Sequence, residues 1–511
     1  MLETILAATT AVLEPKVLLG LTGGIIAGLI GGAIPGITTT MTIILVLPFT
    51  FGMDALQGIA TMVAVYVGGE SGGLVSACLI GIPGTPSAFA TTFDGFPMAR
   101  KGEPGRAVWL GIWASLFGGL IAGLFLVVGA TQLAYLALQF GPWEFFSLFI
   151  LTLSIVSGLS EQSLLKGLLA SVVGLLVTTV GSDPVMGVPR FTFGTDLLRS
   201  GFPFLPVLVG VFAFSQIMLD LEQVRGQGAL DTRQRFNLKV SHLAVIGEIL
   251  RQPVNLIRSS LIGLWIGILP GVGGSAANIL AYDQAKKMSR TPERFGTGHS
   301  EGIVATESSN NANIGGSLIT MMAFGIPGDA VTAVMLGALI IHGIQPGPLF
   351  VTTHAHVAYG LFAAYFLAHF LTVLIEGAGL RLILKIVNVS QQSLMPVILV
   401  LCGLGAFALN NILADVWTLF FFGVLGYLMV KTGFPLAPLI LGVILGDQIE
   451  QNLIRAIMTD SDLTLFLTRP ISGLFLAVSV ASFALGIYQA RRHQRKMTVV
   501  GAPAAPADAD F

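Results

Sequence analysis

Four Pro-Gly pairs interrupt apolar runs: Pro35-Gly36, Pro83-Gly84, Pro270-Gly271 and Pro327-Gly328. Proline inside a helix removes a hydrogen bond and frees backbone groups. At membrane depth such backbone is tolerated only inside protein or facing a water-filled cavity. Small polar residues follow each pair: Thr38, Thr39 and Thr40; Thr85 and Ser87; Gly273, Gly274, Ser275 and Asn278; Asp329 and Thr332. The pattern predicts re-entrant hairpins or split helices. Their N-termini would offer free N–H groups and a positive dipole end, which suit an anion. The candidate substrate-binding positions at the breaks are Pro35, Gly36, Thr38, Thr39, Gly84, Thr85, Ser87, Gly273, Gly274, Ser275 and Gly328.

Two polar clusters lie beside these breaks. YVGGESGG at 66–73 holds Glu70 and Ser71, and TESSNNANIGGS at 306–317 holds Glu307, Ser308, Asn310, Asn311 and Asn313. Amides and hydroxyls in an apolar bundle need partners. Asn310 and Asn311 are candidates for holding substrate carboxylates. Glu70, Ser71, Asn278, Asn313, Asp329 and Thr332 are candidate oxygen ligands for a cation. The structural alternative for Asn and Ser is helix-to-helix hydrogen bonding. Glu70 is an intramembrane acid, open to protonation, ion coordination or a structural hydrogen bond. No Lys or Arg lies within the breaks or these clusters. The charge of a bound carboxylate would therefore fall to dipoles, amides and co-bound Na⁺ or H⁺, with no resident cofactor. No GxxxxGK[ST] occurs, which speaks against ATP as a directly bound fuel. His354 and His356 form HxH without a third ligand and read as interfacial rather than as a metal site. Gly20, Gly24, Gly28 and Gly32 stand at the spacing of close helix packing. Cys78 and Cys402 read as small buried hydrophobes.

The elements that must carry these residues follow from composition. Of 511 residues only 10% are charged, 54% are hydrophobic and 63 are Gly. A soluble fold of this size could not cover its surface with so few charges, against about 25% in ordinary soluble proteins. A soluble enzyme, a disordered scaffold and a disulfide-stapled secreted protein are excluded. The net charge of -1 gives no reason to expect nucleic-acid binding. The charge-free runs predict an all-α polytopic membrane protein of about 10–12 crossings in a lipid bilayer, with broken helices. The N-terminus lacks a signal-peptide pattern and reads as a short interfacial or packing helix. From Arg491 the tail is basic, then Pro- and Ala-rich and expected to be disordered.

The chain repeats itself. FPFLPVLVGVFAFSQI at 202–217 matches FPLAPLILGVILGDQI at 434–449, and AIPG at 33–36 pairs with ILPG at 268–271. GIPG at 81–84 pairs with GIPG at 325–328, and EPG at 103–105 with QPG at 345–347. The expected organisation is an N-terminal repeat in 1–230, a C-terminal repeat in 231–490 and a cytoplasmic tail in 491–511. Loop charge gives orientation, because Lys and Arg prefer short cytoplasmic loops. The loop at 96–106 carries Arg100, Lys101 and Arg106 where its partner at 342–354 has none. The segment at 283–297 carries Lys286, Lys287, Arg290 and Arg294 where its partner near 50–57 has none. A cytoplasmic linker (Arg225, Arg233, Arg235, Lys239) and tail would make the two FPxxP helices antiparallel. All three comparisons point to inverted-topology repeats, the architecture of many secondary transporters; a parallel repeat is the alternative.

IPG…GIPGTPSAFATTFDGFPMARKGEPGRA at 34–107, LPGVGGSAANILAYDQAKK at 269–287 and SSNNANIGGS…GIPGDAVTAVMLGALIIHGIQPGP at 308–348 resemble the large membrane subunit of the tripartite tricarboxylate transporters. The resemblance runs to about residue 490, and its most specific parts are Thr91 to Ala99 and the NNA…GIPG…GIQPGP run. It implies a bacterial inner-membrane carrier of elevator type with two partners, a small four-helix membrane subunit and a periplasmic solute-binding protein. It also implies import of a carboxylate, citrate in the type member, driven by Na⁺ or protons. The family's motifs carry over to Pro35, Gly36, Pro83, Gly84, Thr85, Pro86, Asn310, Asn311, Pro327 and Gly328. The chain departs from the common pattern at Glu70-Ser71 and at Thr306. Rival readings are an intramembrane enzyme, a passive anion channel and a stand-alone carboxylate carrier. The enzyme reading lacks any HExxH or GxSG constellation.

Overall fold

The computed structural model describes residues 2–158, 164–223, 236–386 and 391–500. Most of the linker expected near 223–240, and the end of the tail, lie outside them. Helices dominate, and the strands among the described residues are one two-residue pair at 181–182 and 189–190. The chain is an all-α, multi-pass membrane protein. Six described helices are long and apolar enough to cross a bilayer, and eight shorter apolar helices of 10–17 residues accompany them. The expected crossings thus divide into full-length spans and shorter pieces, because Pro and Gly cut the apolar runs.

The N-terminal series is α1 (Leu2–Val12), α2 (Pro15–Ala33), α3 (Thr39–Thr50), α4 (Ala55–Leu79), α5 (Thr91–Arg100) and α6 (Pro104–Ala137). After α7 (Pro142–Gly158) and α8 (Leu164–Thr178), α9 (Phe204–Leu208) runs through a π-helical stretch into α10 (Ser215–Gln223). Then follow α11 (His242–Leu250), α12 (Pro253–Ile268), α13 (Gly273–Met288), α14 (Ser300–Phe324), α15 (Ala330–Ile341), α16 (Phe350–Thr353) and α17 (Ala355–Ile386). The chain ends with α18 (Gln391–Asn410), α19 (Leu413–Lys431), α20 (Leu436–Thr459), α21 (Leu465–Thr468) and α22 (Pro470–Val500). The basic stretch from Arg491 is therefore helical as far as Val500.

The element order recurs. A helix broken at Pro35-Gly36 is followed by one of 12 residues, then by a helix of 25 and a break at Pro83-Gly84. The second series has a break at Pro270-Gly271, helices of 16 and 25 residues and a break at Pro327-Gly328. After short helices, α5 in the first series and α15 and α16 in the second, come long helices of 34 and 32 residues, α6 and α17. The matched glycines Gly81 and Gly325 both turn the chain with positive φ, 81° and 70°, as do Gly36 and Gly271 at 93° and 72°. Side chains rarely adopt that backbone region, so these glycines set the turns.

The described residues form two compact units, those within 2–140, 180–182 and 189–428, and those within 141–179, 183–188 and 429–500. In the first unit α4 and α14 are buried almost end to end, with no polar face. Glycines bring α2 onto α4 backbone to backbone. A Cβ on Gly24, Gly28 or Gly32 would lie 2.5, 2.4 or 2.0 Å from the carbonyl oxygens of Thr61, Val65 or Gly69. α12 meets α14 in the same way: a Cβ on Gly263 or Gly267 would lie 2.1 or 2.3 Å from the carbonyls of Ser309 or Asn313. The spaced glycines of α2 are packing residues. In the second unit Gly174 of α8 and Gly442 of α20 meet reciprocally, 2.1 Å from the Leu439 carbonyl and 2.4 Å from that of Ser171. There the buried Glu144 accepts from Arg469 Nε at 2.5 Å, and the Arg469 guanidinium lies over Trp143.

Outside the spans, α11 is tied to the start of α6 by Arg106, whose Nη2 donates to Glu248 at 2.6 Å and Nε at 3.1 Å. Burial pushes the Glu248 carboxyl up, but hydrogen bonds from Arg106 and Ser300 and the guanidinium charge together hold it below the ordinary range. The stabilisation is then complete above the ordinary carboxylate range and lost as pH falls through the lowered value. Thermal unfolding of Glu248→Gln in detergent should accordingly lose less stability than the parent between neutral and acid pH; parallel profiles would remove this ion pair from the account. Gly32→Val should destabilise the fold by about 1–3 kcal/mol or more, because the added atoms have no space to enter. A parental unfolding midpoint for that variant would show that the α2–α4 contact can open.

Candidate functional site

The breaks converge on the middle of α4 and α14. The two GIPG breaks are each seated by their second glycine. A Cβ on Gly84 would lie 2.1 Å from the Gly32 carbonyl oxygen, and one on Gly328 would lie 2.4 Å from that of Gly267. Gly271 N donates to Gly328 O at 2.8 Å, which joins the two breaks of the second series directly. Gly84 N donates to Gly73 O at 3.3 Å. Gly84 and Gly328, expected to face substrate, are buried between backbones.

Helices restart at these points. Thr38 caps α3, its hydroxyl accepting from Met41 N at 3.1 Å. Asp329 caps α15 in a reciprocal box with Thr332, accepting from Thr332 N at 2.9 Å. α13 begins at Gly273, and Gly274 sits beside Ser87, Asn310 and Asn313, with 3.0, 3.3 and 3.7 Å between a Cβ there and their nearest atoms. Thr85 and Ser87 share a hydroxyl hydrogen bond of 3.0 Å, and Ser87 also donates to Glu70 Oε2. Asn310 Nδ2 donates to the Glu70 carbonyl oxygen at 3.3 Å, and Ser71 to Asn311 Oδ1 at 3.4 Å. These bonds bring Glu70, Ser71, Thr85, Ser87, Gly274, Asn310, Asn311 and Asn313 into one buried cluster. Thr39 joins it from α3, packed on Gly69. Ser275 is half-buried in the first turn of α13, and the Thr38 hydroxyl is engaged in capping α3 rather than in the cluster.

Asp329 joins the cluster through its other carboxylate oxygen, which accepts from Tyr66 OH, from Ser317 at 3.0 Å and from Asn313 Nδ2 at 3.4 Å. Tyr66 lies in the YVGGESGG motif and was not singled out. A signal for it existed: in the register that aligns Pro83-Gly84 with Pro327-Gly328, Tyr66 falls opposite Asn310. Asn278 is engaged elsewhere. Its Oδ1 accepts from Ala90 N at 2.7 Å and its Nδ2 donates to Thr306 O at 3.2 Å, joining α13 to the start of α5 and to α14.

Four buried polar atoms of the cluster make no hydrogen bond: Thr39 Oγ1, Asn310 Oδ1, Asn311 Nδ2 and Asn313 Oδ1. Each such atom costs about 1–3 kcal/mol unless something fills it. The set holds both donors and acceptors, and among the described residues no Lys or Arg donates into it. It is a buried cluster of amides, hydroxyls and two acids, suited to oxygen-rich ligands arriving with positive charge.

The most specific stretch of the sequence, Thr91 to Ala99, has a structural role at its centre. Asp94 is fully buried, and its Oδ1 accepts from three backbone N–H groups, of Gly296, Gly298 and His299, at 2.9, 2.8 and 2.7 Å. Its Oδ2 accepts from Tyr282 OH at 2.9 Å. One carboxylate thus fixes the loop that leads into α14 and holds α13 beside α5.

With this geometry in place, comparison with known proteins decides the family. Residues 18–441 match the family model of the tripartite tricarboxylate transporter TctA family. The chain belongs to that family. An uncharacterized 52.8 kDa protein in the TAR-I ttuC' 3' region of Agrobacterium vitis is 35% identical over 478 residues, 93% of this chain and 94% of the relative. A second uncharacterized protein, from the TAR-II ttuC' 3' region of the same organism, is 33% identical over 239 residues, 47% of this chain and 99% of the relative. No solved structure matches the chain. Membership in the TctA family makes the protein a membrane component of a transporter, and the buried cluster is where these polar residues collect.

Asp94→Ala leaves three backbone N–H donors of the loop without their acceptor and should cost about 1–3 kcal/mol of stability. Unfolding of the purified variant in detergent measures this, and a parental midpoint would show that the loop holds without the carboxylate.

Proposed function

We propose that the chain is the large membrane subunit of a binding-protein-dependent secondary transporter that imports an organic carboxylate of the di- or tricarboxylate class. A solute-binding protein delivers the anion at the periplasmic face of the bacterial inner membrane, and a small four-helix membrane subunit completes the complex. The anion enters the chamber between the paired breaks together with Na⁺ or H⁺, and an elevator-type movement of inverted repeats then opens the chamber to the cytoplasm, where the C-terminus also lies. The observation that carries this reading is the set of unfilled buried amides at Asn310, Asn311 and Asn313. A carboxylate accepts from the free Nδ2 of Asn311, and a cation accepts the free Oδ1 atoms of Asn310 and Asn313 as ligands. With Glu70 and Asp329 already present and no Lys or Arg nearby, an anion entering alone would meet only like charge, so accompanying positive charge is required. The chemistry therefore favours a gradient-driven carrier over a passive anion channel.

The test is uptake of labelled di- and tricarboxylates into proteoliposomes holding this chain and its small partner, with binding protein outside and an imposed Na⁺ or proton gradient. Gradient-dependent accumulation is expected. Equilibration without accumulation would indicate a facilitator and end the cation-coupled reading. Asn310→Leu should abolish uptake while the variant still inserts and purifies as a folded protein, because it removes an amide without adding bulk against backbone; parental uptake would take Asn310 out of the site.

A further inference from the structure

Away from the chamber, α17 presents a stripe of buried polar side chains to α6. His369, Thr372 and Glu376 follow one another at helical spacing of three and four, on one face over about 10 Å. They are 2%, 2% and 0% exposed. Both carboxylate oxygens of Glu376, Thr372 Oγ1 and His369 Nε2 have no hydrogen-bond partner. His369 Nδ1 lies 2.9 Å from Tyr365 O, and since a carbonyl only accepts, that nitrogen carries the hydrogen.

The glycines of the interface set the register. Gly119 of α6 faces the His369 ring, and Gly377 of α17 faces Trp109. The two helices run antiparallel there, so Glu376 stands at the level of Gly111, and Thr372 at the level of Ser115. A Cβ on Gly111 would lie 3.4 Å from Glu307 Cγ, and Ser115 donates to Glu307 Oε2 at 3.1 Å. Two fully buried carboxyls, Glu307 from α14 and Glu376 from α17, therefore stand at the same level of α6. Glu307 is also bonded by Thr91, whose hydroxyl lies 3.5 Å from Asn278 Nδ2. The second carboxyl is thus linked to the breaks through the start of α5.

Among the described residues no Lys or Arg pairs with either carboxyl, and Arg381 and Lys385 of α17 itself are exposed. α6 carries one charged residue, Arg106, which is held by Glu103 and Glu248. α2 carries one, Lys16, which is held by Glu14 and Asp54. α4 contributes Glu70 and the buried thiol of Cys78, α1 contributes Glu3, and α14 contributes Glu301 besides Glu307. A carboxylate with no donor cannot be kept ionised out of water beside a second acid. Among the described residues no group of three His, Cys, Asp or Glu is arranged to hold a metal ion. Protonation neutralises a buried carboxyl without any further ligand.

We infer that Glu376, with Glu307 and the His369–Thr372 stripe, is a proton-carrying site distinct from the carboxylate chamber. The inference deepens the carrier reading above and rests on it for the transport step alone. In each cycle a proton from water on one side forms the O–H bond of the Glu376 carboxyl. That bond breaks to water on the other side, and nothing is oxidised or reduced.

Two measurements test it. Infrared spectra of the reconstituted full chain should show the carbonyl stretch of a protonated carboxyl at neutral pH, unaltered by Na⁺, and it should vanish in Glu376→Gln. This readout needs no substrate, so it stands whatever becomes of the carrier reading. A band that persists in Glu376→Gln, or one that Na⁺ removes, would overturn the site. The second measurement uses the complete transporter in vesicles with trapped pyranine, and citrate or whichever carboxylate of the uptake panel accumulates. The parent should acidify the lumen as substrate enters. Glu376→Gln should lose that acidification and pH-driven accumulation but keep substrate counterflow, and Glu376→Asp should restore acidification. Parental counterflow without acidification would end the proton inference alone, whereas absence of counterflow in the parent would end the carrier reading. A Glu376→Gln chain that fails to fold would also overturn the inference, because the amide has the shape of the protonated acid.

Discussion

The approach of Gly84 to the Gly32 carbonyl, and of Gly328 to that of Gly267, is the contact on which the rest of the first unit depends. A helix interrupted at membrane depth exposes backbone groups that lipid cannot satisfy. Seating the interruption on the backbone of another broken helix encloses those groups in protein. The seats exist because glycine leaves no side chain between the chains, and a single Cβ at either place would overlap a carbonyl oxygen. Once the breaks are seated, α3, α13 and α15 must all start near the centre of α4 and α14. Thr39, Thr85, Ser87, Gly274 and Asp329, each following one of the Pro-Gly pairs, are thereby delivered to one place.

That place combines burial with unsatisfied polarity. Interhelical hydrogen bonds account for much of it: Ser87 serves Glu70, Asn310 serves the Glu70 carbonyl, and Tyr66, Ser317 and Asn313 serve Asp329. Yet Asn310, Asn311 and Asn313 each keep one amide atom unfilled. A purely structural network would be expected to close, since a half-satisfied buried network is less stable than an apolar one. The α6–α17 contact shows the same imbalance in a different chemistry, with bare carboxyl oxygens and a bare imidazole nitrogen in place of bare amides. Both are positions where stability is given up locally and restored by whatever binds there, whether a ligand or a proton.

Much of this was legible in the residues. The four Pro-Gly pairs and their small polar followers marked the breaks, and Glu70, Asn310, Asn311, Asn313 and Asp329 do meet. The doubled order of elements followed the paired motifs. Other roles were not legible. Gly84 and Gly328 read as facing a ligand but are enclosed by backbone. Asn278 read as a cation ligand, and its amide is occupied by Ala90 and Thr306. Asp94, inside the most specific motif, closes a loop rather than touching the chamber. Glu376 and His369 attracted no notice, because single polar residues in long apolar helices carry no local pattern.

By itself the sequence determined that the chain crosses a membrane with broken helices, since hydropathy, the shortage of charge and proline's missing N–H act over a few residues at a time. It also determined the family, because motif spacing survives independently of packing. Only the tertiary structure decided which polar atoms are filled and which are bare. That depends on the register between helices more than 200 residues apart, such as Ser71 against Asn311 or Thr91 against Glu307. Register is set by glycine contacts measured in tenths of an ångström, which no single helix contains.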